Sequence, residues 1–206
     1  MKVLVLGANG KTGRLVVDSA LAAGHDVSVL VRHVGLSAIS GVRIIEGDAL
    51  KPEDVFRAID QSEAVVQCIG GTAPWKKQTL ERYAMQNIVS SMKKSKTQRL
   101  VVVSAMGVGE SAEQSPWWYR YLIVPTFLRG STADKAAMEM MVRGSGLDWV
   151  IARPPVLTDG AKTGKILVLG NNETGHTITR ADLAVWLVEQ LESAAYVGQA
   201  VVVANR

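Results

Sequence analysis

The residues with the clearest chemistry form a glycine-rich heptapeptide near the N-terminus, Gly7-Ala8-Asn9-Gly10-Lys11-Thr12-Gly13. Gly7 permits a tight turn, Gly10 lets the backbone approach a pyrophosphate, and Gly13 allows a helix to pack closely on a strand. A helix that begins here directs free N–H groups and a partial positive charge toward a phosphate. The spacing predicts that this heptapeptide binds a dinucleotide, and the alternative is a purely structural turn.

A cationic residue ends the next apolar run, Val29-Leu30-Val31-Arg32. NAD-specific sites carry Asp or Glu about 20 residues beyond the glycines, where it binds the ribose hydroxyls. Arg32 occupies that position, and its planar, permanently charged guanidinium matches the 2′-phosphate of NADP. We therefore expect NADP(H) as the cofactor, with added charge from Lys11 or Arg14. The alternative is an ordinary surface arginine at a strand end.

The chain around these residues alternates short apolar runs with longer helix-like segments. Seven runs rich in Val and Ile are continuous, as in strands buried on both faces of a parallel sheet. They cover residues 3–6, 27–31, 42–45, 64–69, 100–103, 149–152 and 200–204. Helix candidates cover residues 12–23, 52–59, 80–94, 132–143 and 179–191, the last opened by Thr179 and Asp182 as a capping box. This order predicts an α/β fold, a doubly wound parallel sheet (Rossmann fold), in a single domain over residues 1–206.

Three irregular segments, at about 71–79, 107–130 and 157–176, follow the fourth, fifth and sixth runs. Doubly wound sheets bind ligands at the carboxyl ends of their strands, so we expect these segments to be substrate loops. The first two carry six aromatic residues: Trp75, Trp117, Trp118, Tyr119, Tyr121 and Phe127. A flat conjugated substrate would stack on such a wall. Alternatively, these rings pack the loops down or bind another protein.

Composition narrows the class of protein. Hydrophobic residues make up 48% and charged residues 20%, an ordinary globular balance, and the net charge is +4. The cations are scattered, so we expect no nucleic-acid partner, and no apolar run reaches the roughly 18 residues of a membrane helix. Cys68 is the single cysteine, and the histidines show no metal-ligand spacing. We expect a cytoplasmic monomer or weak homo-oligomer that binds no metal.

The sequence resembles the atypical short-chain dehydrogenase/reductases, NAD(P)H-binding proteins related to the NmrA-like family. Within that group it is most similar to the biliverdin-IXβ reductases, also called flavin reductases. The resemblance covers essentially the whole chain. Besides the glycine heptapeptide and Val29-Leu30-Val31-Arg32, it rests on Gly47-Asp48, Ile69-Gly70, Val103-Ser104-Ala105, Ser145-Gly146-Leu147 and Arg153-Pro154-Pro155.

The resemblance implies where the adenosine half of the cofactor would lie. Asp48 and Ala49, after the third strand, would contact the adenine. Ile69, Gly70 and Gly71, after the fourth, would border the ribose and pyrophosphate. Two alternatives stay open, because Asp48 also suits a simple turn former and Gly70-Gly71 a plain loop.

The nicotinamide half would lie against residues that follow the fifth and sixth strands. The resemblance places Ser104 beside the nicotinamide and Pro154, Pro155 and Val156 behind its ring. The two prolines also stiffen the chain regardless of any ligand.

One position departs from the wider superfamily. Other branches carry a Tyr four residues before a Lys on one helix, where the Lys lowers the pKa of the catalytic Tyr. Lys135, with Glu139 one turn later, matches the Lys, but Ser131 occupies the Tyr position. The biliverdin-IXβ reductases also lack that Tyr and need only hydride delivery. Ser104 and Lys135 are therefore the candidate catalytic residues, with Ser104 as a hydrogen-bonding group and not as an acid.

These features predict an NADPH-dependent reductase that delivers hydride to a flat conjugated small-molecule acceptor, such as a flavin, a quinone or a linear tetrapyrrole. The alternative is a non-catalytic NADP(H)-binding redox sensor or assembly factor, as some NmrA-like relatives are. An epimerase or dehydratase is disfavoured by the missing Tyr.

Overall fold

The computed structural model describes residues 1–33, 40–71, 79–114, 129–170 and 173–206. The strands are β1 Lys2–Leu6, β2 Asp26–Val31, β3 Arg43–Glu46, β4 Ala64–Gln67, β5 Arg99–Val103, β6 Asp148–Ala152, β7 Val156–Thr158, β8 Ile166–Val168, β9 Thr177–Thr179, β10 Gln199–Val201 and β11 Val203–Asn205. A seven-stranded sheet in the order β10-β6-β5-β4-β1-β2-β3 has every neighbouring pair parallel. This is the strand order of a doubly wound dinucleotide-binding fold, so the predicted fold class is confirmed.

Helices cover both faces of this sheet. They are α1 Lys11–Ala22, α2 Pro52–Ile59, α3 Leu80–Ser95, α4 Arg129–Arg143 and α5 Arg180–Glu189, with a 3₁₀ helix at Gly109–Gln114. On one face α1 packs against α5, and on the other α3 packs against both α2 and α4. Each face therefore has its own hydrophobic core.

The strands alternate their side chains between the two cores. In β1, Val3 and Val5 join the core under α1 and α5, whereas Leu4 and Leu6 join the core under α2, α3 and α4. All four side chains are at most 1% exposed. Because successive strand residues point to opposite faces, a strand covered on both faces must be apolar at every position. This is the physical origin of the continuous apolar runs in the sequence.

The run at 200–204, expected as one strand, is divided in the structure. Residues 199–201 pair in parallel with β6, and residues 203–205 pair antiparallel with β8. The chain changes partners at Val202, whose carbonyl accepts a hydrogen bond from the Leu169 N–H at 2.9 Å. We also expected irregular structure across residues 157–176. This expectation was wrong in part, because β8 lies inside that segment. Partner choice along an apolar run depends on distant residues, so the local pattern does not show it.

The glycine heptapeptide joins β1 to α1 as a turn that has no room for side chains. Gly7 has φ of +84°, and a Cβ there would lie 2.6 Å from the carbonyl carbon and oxygen of Cys68. A Cβ on Gly13 would lie 2.2 Å from the carbonyl oxygen of Gly7, whereas one on Gly10 would lie 3.3 Å from that atom. Gly7 and Gly13 are therefore required by packing, and Gly10 is not.

This difference predicts opposite behaviour for two matched alanine variants. Gly13→Ala should destabilise the protein by about 1–3 kcal/mol, because its methyl group overlaps the backbone of Gly7. Gly10→Ala should change the free energy of unfolding by less than about 0.5 kcal/mol, because Gly10 has φ of −77° and is exposed. Urea unfolding followed by circular dichroism measures both. Equal stabilities would show that the two glycines are equivalent in packing.

Candidate functional site

The carboxyl edge of the seven-stranded sheet brings the predicted cofactor-binding positions together. Because the strands are parallel, the residue after each strand lies at the same edge. Taken across the sheet from β3 to β6, these positions are Asp48 and Ala49, then Arg32, the glycine turn, Ile69 to Gly71, Ser104, and Pro154 to Val156. The sequence positions thus form one continuous line.

At the centre of this line, α1 presents an uncapped N-terminus. Its N-cap residue is Gly10, which provides no capping side chain, and the first turn of α1 contains no acidic residue. Asn9, Gly10 and Lys11 are exposed. Backbone N–H groups at such a terminus bind anions, so the turn offers a phosphate cradle.

A cleft of about 400 Å³ lies beside the ends of β2 and β3. Its walls carry Arg32, His33, Glu46, Gly47, Asp48, Lys51 and Asp54. Arg32 is exposed at this wall, and among the described residues it forms no ion pair. The cleft thus combines two cations with the predicted adenine position.

Asp48 has a structural role in the wall of this cleft. Its Oδ1 accepts a hydrogen bond from the Leu50 N–H at 3.0 Å, and its own N–H donates to Asp54 Oδ2 at 3.0 Å. The hydrogen bond from Asp48 is the main reason why the pKa of Asp54 lies below its usual range. The turn-forming interpretation of Asp48 therefore describes its local contacts, and a contact with adenine stays a prediction.

The segment after β4 is held mainly by its backbone. Gln67 Nε2 donates to the Ile69 carbonyl at 3.1 Å, and the Gly71 N–H hydrogen-bonds the carboxylate of Glu81. A Cβ on Gly70 would meet no atom within 4 Å. Packing does not require a glycine at position 70, so the open surface there is available to a ligand.

Ser104 lies beyond β5 and is 4% exposed. Its N–H donates to the Ala152 carbonyl at 2.8 Å, and its Oγ donates to Glu139 Oε1 at 2.6 Å. Glu139 also accepts from Arg153, from Nε at 3.0 Å and from Nη2 at 2.5 Å. The Ser104 proton is therefore directed at a buried carboxylate, which leaves the oxygen lone pairs of Ser104 to interact with a neighbouring donor.

Arg153 is the centre of this buried network. Its side chain is 1% exposed, and besides Glu139 it donates to Glu110 Oε2 at 3.1 Å. Gly109 has φ of +56°, and a Cβ there would lie 2.9 Å from Nη2 of Arg153. The hydrogen bond from Arg153, with a further one from Arg143, lowers the pKa of Glu110 to about 2. The Glu110 carboxylate thus remains ionised beside the buried guanidinium.

Lys135 points to a different carboxylate. Its Nζ donates to Glu81 Oε2 at 2.6 Å, and both side chains are largely buried. The neighbouring Asp134 caps α3, because its carboxylate accepts from the backbone N–H groups of Glu81 and Arg82. Ser131 lies one turn before Lys135 on α4 and is half-buried.

The segment after β6 is folded back onto the start of α5 by two aspartates. Asp182 is fully buried and accepts hydrogen bonds from Thr163, Gly164, Thr179 and Asn205. Burial alone would raise the pKa of Asp182, but these hydrogen bonds outweigh it and hold the pKa below its usual range. The predicted capping box is half formed, because Thr179 Oγ1 accepts from the Asp182 N–H while the Thr179 N–H donates to Asn205.

The second aspartate, Asp159, binds two cations. Lys11 Nζ lies 2.6 Å from Asp159 Oδ2, and Arg180 pairs with the other carboxylate oxygen. Lys11, predicted to contact the cofactor, is thus already paired across the glycine turn. Pro154 and Pro155 are buried, whereas Val156 is 51% exposed toward solvent. Among these, Val156 is the residue with apolar surface to offer a ligand ring.

The six aromatic residues that were predicted to stack a flat substrate lie outside the described residues. They are Trp75, Trp117, Trp118, Tyr119, Tyr121 and Phe127. Among the residues that are described, no group of His, Cys, Asp and Glu is arranged to hold a metal ion, and no helix is long and apolar enough to span a membrane.

Five buried charged residues among those described were missing from the sequence-based site: Glu81, Asp134, Glu139, Arg153 and Asp182. Glu139 was noted for its spacing and Arg153 as part of a motif, but neither was given a partner. A signal was available, because Glu139 directly follows the buried Met138 on α4 and Arg153 extends the buried strand β6. A charge at an apolar position of the pattern indicates a buried pair.

Comparisons with known proteins agree with this geometry. The sequence matches the family described as NAD(P)H-binding over residues 7–194. The fold superposes on ChuY, an anaerobilin reductase from Escherichia coli O157:H7, with a TM-score of 0.83 and 26% identity over 100% of this chain and 97% of that one.

Two curated relatives add to this comparison. An uncharacterised chloroplastic protein of Arabidopsis thaliana is 28% identical over 181 residues, which are 81% of this chain and 63% of that protein. The photosystem II assembly factor Ycf39 of Synechocystis is 38% identical over 69 residues, which are 32% of this chain and 21% of that protein. The chain thus spans under two thirds of the Arabidopsis relative.

The Arg153 network predicts a pH-dependent contribution to stability. Because the folded pKa of Glu110 is about 2 and its ordinary value is 4.5, its ion pairs stabilise the protein fully above pH 4.5 and are lost as the pH falls toward 2. Wild type should therefore be more stable than Glu110→Gln at pH 6, and this gap should narrow steadily below pH 4.5. Urea unfolding of both proteins across this pH range measures the gap. A gap that does not change with pH would contradict the assignment.

Proposed function

The chain belongs to the NAD(P)H-binding family, and from that premise we propose that it is a reductase that uses NADPH to deliver hydride to a flat conjugated acceptor, a flavin, a quinone or a linear tetrapyrrole. The observation that carries this proposal is the glycine turn, where Gly7 and Gly13 leave no room for side chains and α1 begins uncapped at the carboxyl edge of the sheet. The alternatives below differ in what happens after the cofactor binds.

The residues at this edge fit a dinucleotide. The exposed backbone at Asn9 and Gly10 would bind the pyrophosphate, and a side chain at position 10 would enter the space above the turn. The first turn of α1 carries no acidic residue that would repel phosphate. When bound, the reduced nicotinamide supplies the hydride.

Preference for NADPH rests on the cleft beside β2 and β3. Arg32 and Lys51 both line it, so a 2′-phosphate placed there would meet two cations. Three acidic residues, Glu46, Asp48 and Asp54, lie in the same wall. The carboxylates of Asp48 and Asp54 accept backbone N–H groups, which partly offsets these two charges.

At the nicotinamide end we assign positioning roles. Ser104 would accept a hydrogen bond, from the carboxamide of the nicotinamide or from the acceptor, because its own proton is held by Glu139. Pro154, Pro155 and Val156 would back the ring, and Lys135 would bind the adjoining ribose. With Ser131 at the Tyr position the chain has no matching acid, so the proton would come from solvent or from the acceptor itself.

The similarity to an anaerobilin reductase supports a bilin, which is a linear tetrapyrrole, among the three acceptors. A second candidate function, a non-catalytic NADP(H)-binding assembly factor or redox sensor, is supported by the segment shared with the photosystem II assembly factor. The two candidates share the cofactor site and differ in turnover.

Turnover with NADPH tests the proposal. The purified protein should oxidise NADPH in the presence of at least one of FMN, menadione, dichlorophenolindophenol or biliverdin, followed by loss of the absorbance of the reduced nicotinamide. Ser104→Ala should lower the rate about ten- to a hundredfold, the effect of losing one oriented hydrogen bond, with NADPH affinity little changed. NADPH binding without turnover of any acceptor would favour the assembly factor or sensor.

Arg32 should determine the choice of cofactor. Replacing Arg32 by Ala should weaken NADPH binding roughly ten- to a hundredfold, because a charge-assisted contact with the 2′-phosphate is lost, and should leave NADH binding nearly unchanged. Arg43→Ala, an exposed residue at the start of β3 and therefore at the opposite edge of the sheet, serves as a matched loss of one guanidinium. Calorimetric titration of both dinucleotides measures the effect, and an equal loss for NADPH and NADH would refute the role of Arg32.

A further inference from the structure

Glu81 is a buried carboxylate for which the proposed reaction has so far no use. It lies in the first turn of α3 and is 1% exposed. Its Oε2 accepts a hydrogen bond from Lys135 Nζ at 2.6 Å, and its carboxylate also accepts one from the Gly71 N–H. One side chain therefore connects the segment after β4 to helix α4.

The two residues that Glu81 contacts were identified by separate arguments. Gly71 belongs to the segment that would border the cofactor's ribose and pyrophosphate, and Lys135 matches the superfamily's conserved lysine position on α4. Glu81 itself has no counterpart in either argument. Its contact with both is an independent observation that these two parts of the site are joined through a charge.

The surroundings of Glu81 favour a specific task over general packing. The charged groups that face it are Lys135 and Asp134, and Asp134 is itself 3% exposed and binds the N–H groups at the start of α3. Burying two carboxylates side by side with one ammonium costs desolvation energy that an apolar cluster of the same size would avoid. The arrangement does, however, hold Lys135 Nζ at hydrogen-bonding distance from the Glu81 carboxylate.

We propose that Glu81 is a positioning residue, which holds the ammonium group of Lys135 in the geometry that binds the nicotinamide-side ribose of the dinucleotide. This inference rests on the proposed function. Glu81 does not touch the cofactor and acts through Lys135. Since Lys135 carries three N–H donors and gives one to Glu81, the others remain for the ribose hydroxyls.

A fragment of the cofactor separates this role from a general loss of structure. Glu81→Gln should weaken NADPH binding about tenfold, the effect of losing a charged hydrogen bond in the site. It should leave 2′,5′-ADP binding within about twofold of wild type, because this fragment contains the adenosine half alone. Glu189→Gln, an exposed carboxylate at the end of α5, is the matched control and should change neither affinity.

Two further variants show whether Glu81 acts through Lys135. Lys135→Met should also weaken NADPH but not 2′,5′-ADP, and the double variant Glu81→Gln/Lys135→Met should lose no more affinity than Lys135→Met alone. Glu81→Asp, which keeps the charge on a shorter side chain, should recover part of the affinity that Glu81→Gln loses. Thermal melts identify any variant that fails to fold. If Glu81→Gln does not fold, Glu81→Asp is compared with wild type in its place.

The pH dependence provides a separate measurement. Burial raises the pKa of Glu81, and the Lys135 ammonium offsets part of that rise. As the pH falls toward this raised pKa, the ratio of NADPH to 2′,5′-ADP affinity should fall more steeply for wild type than for Glu81→Gln. Comparing the two proteins cancels the titration of the ligands' own phosphates, including the 5′-phosphate monoester that 2′,5′-ADP carries and NADPH does not.

Each outcome decides the proposal. Equal weakening of NADPH and 2′,5′-ADP by Glu81→Gln would show that Glu81 only supports the fold, and additive losses in the double variant would show that it does not act through Lys135. Wild-type protein that binds 2′,5′-ADP and NADPH but reduces no acceptor would remove the reductase and leave this inference standing. Wild-type protein that binds neither ligand would overturn both.

Discussion

A charge buried at the end of β6 constrains the half of the molecule built on β5, β6 and α4. Arg153 is 1% exposed, and a lone guanidinium at that depth would be strongly destabilising. Glu139 must therefore face inward from α4, which fixes the rotation of that helix. Lys135 is then turned toward Glu81, and Ser104 donates to Oε1 of Glu139, the oxygen that also accepts from Arg153 Nε. The need to neutralise Arg153 thus determines how α4 packs. It also determines the orientation of the Ser104 hydroxyl and the position of the Lys135 ammonium.

The two halves of the site are built by opposite means. Around β1 the site is formed by glycines, which have no side chains, so that the backbone of Gly7 contacts Cys68 and Gly13 contacts Gly7. Around β5 and β6 it is made by burying charges in matched pairs, as with Arg153 and Glu139. Backbone at the first half suits a diphosphate that every dinucleotide shares, whereas fixed polar groups at the second suit a ring whose orientation decides the chemistry.

The sequence was sufficient for features that depend on neighbours along the chain. The strands of the seven-stranded sheet, the five helices and the glycine turn follow from local periodicity and motif spacing. The family was suggested by the resemblance of the motifs, and the match over residues 7–194 confirms it. It was insufficient where distant residues meet. Neither the division of the chain at Val202 nor the pairing of Glu81 with Lys135, 54 residues apart, leaves a local pattern. The partner of each charged side chain depends on which helices face each other, and the packing of the core determines that arrangement.

The segment between β6 and α5 is completed by residues that come after it. Asn205 donates to Asp182 at 2.8 Å and accepts from the Thr179 N–H, and β11 supplies the edge on which β8 forms. On a ribosome, which releases the chain from its N-terminal end, this wall of the site cannot close until residues 203–205 have emerged. A nascent chain that has already released Lys11 and Asp159 would still lack the hydrogen bonds that hold the wall beside them.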